Sequence, residues 1–352
     1  MKKQLIKTFS ELKIIFLSSR ISWKQFVIVL VIGLAFIWMP QQMPNDWELN
    51  TKYFWANISQ TYIQHPNIVY PPWGLILLLP YYIIHAVGAR VLSVFTMGWF
   101  IYKRRLPLLY FLFLVFSPYF LWTMLKSNVD ILVIVLPILL WEYSEGKRWK
   151  NIIRGISFAL LLIKPQCNIL IIIYLLWQSR DEWKEEVKQL VITGLFIFPI
   201  CFIGSPPLIS QWFKNISSPS AQNQLYWAIN NMSLTTKYGF LTAFGILFLL
   251  GLILFLLVKR KIISWKNDQT IFFLLLCSMQ FSSYTSQQSF AGALTFIPSW
   301  AGFIIQWAGV CFGFASAGLN NTIPLWTFLV SVFSIFSYSF FRPKTLEIEY
   351  CA

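Results

Sequence analysis

Residues 241–258 read LTAFGILFLLGLILFLLV, and Lys259-Arg260-Lys261 follow at once. An uncharged run of this length, closed by cations, has the form of a helix crossing a bilayer, whose core of about 30 Å takes roughly 20 residues at about 1.5 Å each. Lipid offers the backbone no partner, so the N–H and C=O groups of such a run must bond within a helix. Phe26–Met39 and Leu106–Leu125 repeat the pattern, and short charged or polar clusters separate the runs. No alternation over about ten residues points to a barrel instead. Hydrophobic residues make up 57% of the 352 and charged residues 12%, against about 25% charged in soluble domains. Mean hydropathy is +0.62. The expected fold is all-α, a polytopic transmembrane helix bundle of about ten spans.

The formal net charge of +15 raises the question of nucleic acid. Lys and Arg gather at the ends of apolar runs, as the positive-inside rule requires, so the expected partner is membrane lipid and not nucleic acid. Cys167, Cys201, Cys277, Cys311 and Cys351 are scattered, with no disulfide framework or metal-ligand spacing, so no metal site is expected. Trp38-Met39-Pro40 is a poor cleavage site, and the first apolar run reads as a retained span.

Basic clusters orient the chain. Lys2, Lys3, Lys7, Lys13, Arg20 and Lys24 place residues 1–24 in the cytoplasm, with an interfacial amphipathic helix over 3–18 carrying Leu5, Phe9, Leu12 and Phe16 on one face. A first span over 25–40 delivers loop 41–70 outside. Residues 71–102 read as one crossing with a break near Pro80 or Gly88, because Lys103-Arg104-Arg105 belongs inside. A span over 106–125 leads to a tight outer turn, Lys126–Val129, and a span over 130–143 returns to Glu145–Lys150. Lys164-Pro165-Gln166 interrupts an apolar stretch. Proline breaks the helix there, and a mid-membrane charge costs about 2.5–3.5 kcal/mol. Two short helices meeting at an outer turn satisfy both constraints and return Arg180–Lys188 to the cytoplasm. A span over 189–204, an outer loop 205–233 and a span over 238–258 follow. Further spans are expected near 270–283, 290–309 and 322–341, with a tail at 342–352 whose side is open. The organisation is thus a seven-span module, 25–204, and a C-terminal part, 205–341. Outer loops as long as 41–70 and 205–233 are uncommon unless they function.

The chain has thirteen Asp and Glu residues, and under this threading three lie outside: Asp46, Glu48 and Asp130. An aromatic belt explains Trp47, Tyr53, Phe54 and Trp55, but it does not predict an acid at Asp46. For Asp130 two readings stand. It caps the helix that follows, or Asn128 caps and leaves Asp130 available in the first turn. Lys164 either snorkels to the interface or holds an anionic ligand. A carboxylate at the membrane surface can serve as general base toward a hydroxyl, typically contributing about 10²–10⁴-fold, and a lysine beside it can hold a phosphate. A lipid-phosphate-linked sugar would need both on one face. Arg90 is an intramembrane charge and so a functional candidate, or lies near a surface if the break falls at Gly88. His65, near Tyr70, is either an assistant at the site or an ordinary loop histidine. Residues 215–233, rich in Asn, Gln, Tyr and Trp, suit either a carbohydrate acceptor or a generic polar loop.

Four local features in order make the sequence resemble the polytopic glycosyltransferases of the GT-C superfamily, and within it the family-87 polyprenyl-phosphate-mannose-dependent transferases. They are Asp46 after the first span, Tyr70-Pro71-Pro72 opening the second, the polar turn Ser127-Asn128-Val129-Asp130, and Ile163-Lys164-Pro165-Gln166 ahead of Arg180–Trp183. Tyr284–Ser289 resembles a late polar motif of the family. The Gly-Gln that the family carries in the second outer turn is missing. The resemblance implies a GT-C-like bundle and an inverting transfer of a hexose, mannose favoured, from a polyprenyl-phosphate donor to a glycolipid, glycan or other hydroxyl acceptor on the outer face of a bacterial or archaeal plasma membrane. It implies Asp46 as catalytic base with Glu48 second, Lys164 on the donor phosphate with Gln166 in the same pocket, and Asn128 and Asp130 positioning the donor or a divalent metal. Tyr70, His65 and Arg90 complete the expected substrate-binding set, and no cofactor is expected. The rival is a transporter or flippase of a lipid-linked or amphipathic substrate. That reading calls for inverted repeats, and none is found.

Overall fold

The computed structural model describes residues 23–40, 55, 57–64, 70–77, 79–218, 232–282, 285–311 and 323–341. The interfacial helix over 3–18, Asp46, Glu48, His65, most of 215–233 and the tail lie outside them. The described residues are helical, with no strand among them. In order the α-helices of five or more residues are α1 Trp23–Ala35, α2 Pro72–Leu77, α3 Leu79–Lys103, α4 Leu108–Val115, α5 Pro118–Leu125, α6 Asp130–Tyr143, α7 Lys150–Leu161 and α8 Pro165–Gln178. Then come α9 Trp183–Cys201, α10 Leu208–Ile216, α11 Leu234–Tyr238, α12 Phe240–Lys259, α13 Asn267–Phe281, α14 Gln287–Leu294, α15 Trp300–Cys311 and α16 Ile323–Phe341.

The chain is an integral, multi-pass membrane protein. Helix α12 leaves Leu241, Phe244, Phe248, Leu252 and Phe255 exposed, and α9 does the same with Leu190, Val191, Leu195 and Phe198. Faces of this kind need lipid rather than water beside them. About ten spans were expected from roughly 20-residue arithmetic. Two described helices, Phe240–Lys259 and Ile323–Phe340, are long and apolar enough to cross a membrane, or three if the bent pair α4–α5 is one span.

The shortfall has a physical origin, because apolar runs are cut into shorter helices. The expected straight span over 106–125 bends by 57° between α4 and α5. Pro118 removes a donor there, and the loosened backbone is repaired from elsewhere. Ser117 Oγ donates to Leu114 O at 2.8 Å, Trp307 Nε1 donates to Phe116 O at 3.1 Å, and Gln306 Oε1 accepts from Tyr119 N–H at 3.4 Å. The expected span over 290–309 is likewise divided at 295–299, between α14 and α15. The stretch 71–102 holds α2 and α3, and α3 is kinked at His85 (φ 59°), between the two positions expected for a break. From Ala86 to Lys103 the helix then runs for about 27 Å.

Small residues bring helices together in the core. A Cβ on Gly155 of α7 would lie 2.6 Å from Ile192 Cγ2 and 3.2 Å from Gln189 O of α9. Thr193 Oγ1 crosses the same contact to Gly155 O at 3.1 Å. Helix α7 also packs on α6, α8 on α13, and α14 on α5 and α6. Those contacts gather the starts of three helices at one end of the bundle.

Candidate active site

At that end the chain leaves α5 through Lys126–Val129. Ser127 adopts a left-handed conformation (φ 48°), and Asn128 N–H donates to Thr123 O at 3.0 Å. The Asn128 side-chain oxygen accepts the Asp130 N–H at 2.8 Å, the Asx-turn use of asparagine. Asn128 therefore makes the capping-type bond, and the Asp130 carboxylate is committed elsewhere.

Asp130, the first residue of α6, is fully buried. One of its carboxylate oxygens accepts from Lys164 Nζ, and the other accepts from Ser289 Oγ at 2.5 Å. Lys164 holds the N-cap position of α8 with φ −124° and ψ 68°, a conformation outside the helical region, as expected before Pro165. It is 8% exposed, so it does not snorkel. Ser289 lies in the first turn of α14, where Ser286 Oγ accepts the Ser289 N–H at 3.4 Å. The beginnings of α6, α8 and α14 thus meet around one ion pair. Helix N-termini carry partial positive charge from unsatisfied N–H groups, and with the ammonium they form a setting suited to anions. Asp130 is the resident anion.

Tyr70, at the end of loop 41–70, and Met39-Pro40, just before the loop, both reach this place. Lys164 Nζ sits 5.3 Å from the centre of the Tyr70 ring, and Tyr62 Oη donates to Tyr70 O at 2.6 Å. At the other end, Arg90 Nη1 donates to Met39 O at 2.5 Å and Arg90 Nη2 to Pro40 O at 3.3 Å. Arg90 Nε donates to Ser127 Oγ at 3.1 Å. The arginine is buried and ties the end of the first helical segment to the turn that presents Asn128 and Asp130.

Of the expected site residues, Tyr70, Asn128, Asp130 and Lys164 therefore cluster, and Arg90 joins them through Ser127. Gln166 is exposed, unlike its buried neighbour Lys164. Asp46, Glu48 and His65 fall outside the described residues. Among the described residues no cluster of His, Cys, Asp and Glu could hold a metal ion. Sequence reasoning named Ser289 and Ser127 only as members of the motifs Tyr284–Ser289 and Ser127–Asp130, with no role for either. A polar run, Thr285–Ser289, between apolar helices was the available signal for the first. The left-handed turn that presents the second has no signature in a serine.

The opposite end of the bundle holds a second charged cluster. Arg104 meets Glu142 of α6 with two bonds, Nη1 to Oε2 at 2.7 Å and Nη2 to Oε1 at 2.6 Å, and donates from Nε to Asp268 Oδ1 at 2.7 Å. Lys150 bridges Glu145 and Glu182 at 3.0 and 2.8 Å on the same side. Lys150 also draws the exposed Glu145 carboxyl below its ordinary pKa through their hydrogen bond.

A family model described as glycosyltransferase family 87 matches residues 68–285, more than half of the 352. The match takes in Tyr70, Arg90, Asn128, Asp130, Lys164 and Gln166, and it ends before Ser289. No protein of curated function and no solved structure matches the chain.

Proposed function

The chain belongs to glycosyltransferase family 87 and is a polyprenyl-phosphate-mannose-dependent glycosyltransferase; from that premise we propose that its chemistry takes place at the Lys164–Asp130 end of the bundle. The observation that carries this reading is the buried ion pair at the meeting of three helix starts, with Tyr70 at the end of loop 41–70 and Met39-Pro40 just before it anchored nearby. Lys164 places its ammonium against the donor phosphate. An ammonium has three N–H donors, and Asp130 takes one, so the lysine can engage phosphate without leaving its partner. Burial alone disfavours the charged amine, and the carboxylate offsets that penalty. Asp130 is therefore a positioning residue, holding Lys164 charged and in place, and Asn128 fixes the turn beneath it.

The transfer is a direct displacement. Asp46, with Glu48 as second candidate, takes the proton of the acceptor hydroxyl. The acceptor oxygen forms its bond to the anomeric carbon from the face opposite the phosphate. The bond from that carbon to the phosphate oxygen breaks, and polyprenyl phosphate leaves with the electron pair and one further negative charge. Lys164 and the helix starts stabilise that developing charge, the kind of preorganised stabilisation that is worth about 10²–10³-fold per donor. Configuration at carbon inverts. Tyr70 packs beside the lysine, and Gln166 and His65 belong to the donor-binding set. The acceptor is a glycolipid, glycan or other hydroxyl compound, and 215–233 contributes to its binding.

This end faces outside, by the charge bias of the other one, and the protein serves a bacterial or archaeal plasma membrane. The short helices belong to a GT-C-like bundle of about ten crossings, in which helices too short for the roughly 20-residue rule are buried among others. The test is transfer from polyprenyl-phosphate mannose by Asp46→Asn, Glu48→Gln and Lys164→Ala. Asp46→Asn and Lys164→Ala are expected to lose at least about 10²-fold in kcat, and Glu48→Gln less. Full activity in Asp46→Asn would remove the base assignment, and full activity in Lys164→Ala would move the donor elsewhere.

A further inference from the structure

Two buried amides at the Lys164 end each carry an atom with no hydrogen-bond partner among the described residues. Gln280, in the last turn of α13, is fully buried; its Oε1 accepts the Leu234 N–H at 2.7 Å, but its Nε2 has no partner among the described residues. Gln288, in the first turn of α14, is 6% exposed, and its Oε1 likewise has no partner among the described residues. Gln288 precedes Ser289, whose hydroxyl donates to Asp130. Gln280 belongs to the same end. Helices α8 and α13 pack together and run in opposite senses, and Leu170 N–H donates to Ser278 Oγ at 3.2 Å. Two residues further along α13, the chain has moved toward the start of α8, where Lys164 stands.

Buried polar groups in folded proteins are nearly always paired, because an unpaired one has given up water for nothing. A chain that keeps two of them beside a substrate site has a stability reason to lose them and needs a functional reason to keep them. The orphan atoms also restrict what the missing partner can be. A carbonyl oxygen needs a donor, and an amide N–H needs an acceptor. A phosphate diester supplies only acceptors, so it cannot satisfy the Gln288 carbonyl oxygen. A hydroxyl supplies both, and a hexose carries several on adjacent carbons.

We propose that Gln288 and Gln280 form a hexose-hydroxyl subsite next to the Lys164–Asp130 pair, in which Gln288 accepts from one sugar hydroxyl and Gln280 donates to another. Gln288 is thereby a specificity-determining residue for the donor sugar. The inference rests on the reading that the donor phosphate lies at Lys164, and it adds which part of the donor sits beside that phosphate.

The experiment compares the wild-type protein with Gln288→Met and Gln288→Leu, which remove the polar atoms at similar volume. Each is assayed with polyprenyl-phosphate mannose and with its monodeoxy analogues, and each is melted without ligand. The ligand-free melt is expected to stay level or rise, since an unpaired buried group has been removed. Against the parent donor, kcat/KM is expected to fall at least about 10-fold, because a site built to bond a hydroxyl discriminates strongly when that bond is lost. One deoxy donor should already be that poor with the wild type and lose nothing further with the variants. A lower melt in both variants, with every donor losing the same factor, would assign Gln288 a structural role and overturn the proposal, as would wild-type turnover of the parent donor. Lys164→Ala run alongside separates the two readings. If it keeps wild-type turnover, the donor site itself is elsewhere. If it is inactive while Gln288→Met transfers normally, the subsite alone falls.

Discussion

Helix α6 carries a buried or half-buried acid at each end, and the two are used differently. Asp130 and Glu142 are separated by about 18 Å along the axis, and each is paired with a cation from a distant segment. At the Glu142 end the cation is an arginine whose planar fork is filled by two carboxylates, joining α3, α6 and α13. At the Asp130 end it is a lysine with a single carboxylate partner among the described residues, set against a tyrosine ring and the starts of three helices. Arginine's rigid fork suits permanent pairing, and lysine's compact charge can take an additional partner. An arginine fork shared by two carboxylates holds helices together, whereas a lysine with one carboxylate partner and helix starts around it can receive an anion.

The comparison is tested most severely at Lys164. In Lys164→Met the Asp130 carboxylate stays buried without its cation, a change that destabilises by about 3–5 kcal/mol. Transfer is expected to fall by about 10²–10³-fold as well, through the lost stabilisation of the leaving phosphate. The double variant Lys164→Met/Asp130→Leu separates the two effects, because replacing a whole buried pair by apolar side chains is often neutral or stabilising. Its thermal melt in detergent should return toward wild type while transfer stays lost. Recovery of transfer together with the melt would make this end a structural clamp like the other.

Arg104→Met is expected to give the reverse pattern. Glu142 and Asp268 lose their shared cation, and they repel each other across the gap. Because Glu142 keeps a side-chain exposure of 19%, solvent screens part of the penalty, and the loss should fall toward the lower edge of the buried-pair range, about 3 kcal/mol. Turnover per folded molecule should be that of wild type. A fall in turnover at constant folded fraction would tie this clamp to the chemistry.

How much of this was legible in the chain depends on sequence distance. Local chemistry was readable. Asp130 begins α6 where the polar turn ends, and Pro165 opens α8 where the apolar run is interrupted, both dictated within a few residues. The charge bias put Asp130 and Lys164 on one face, and the structure brings them into contact across 34 positions. That contact was not predictable, because snorkelling and ligand binding explain an intramembrane lysine equally well. Arg90 looked like a substrate-binding charge, yet its donors satisfy carbonyls at the end of the first helical segment. Helix continuity was the least legible feature. Hydropathy does not register a bend at Ser117-Pro118 that Trp307 and Gln306 repair from α15, since the repair is tertiary and nearly two hundred residues away in sequence.

The finest difference between the two ends of α6 lies in the second oxygen of each acid. Both oxygens of Glu142 face one guanidinium, whereas Asp130 divides its oxygens between Lys164 and the hydroxyl of Ser289. Ser289→Ala removes that hydroxyl with little change of volume. The lost bond is charge-assisted, a class worth about 1.5–3 kcal/mol, and the freed carboxylate oxygen can still draw on Lys164, so the expected loss is near the low edge, about 1.5 kcal/mol. The kinetic consequence should be indirect. Without Ser289 the carboxylate can rotate about its Cβ–Cγ bond, Lys164 follows it, and the ammonium is no longer fixed where the phosphate arrives. The KM for the donor should therefore rise more than kcat falls, and Ser289→Thr, which restores the hydroxyl, should recover most of the difference. If Ser289→Ala lowers the melt while KM and kcat stay at wild-type values, Lys164 is held by its own helix start and the carboxylate is only its counter-ion.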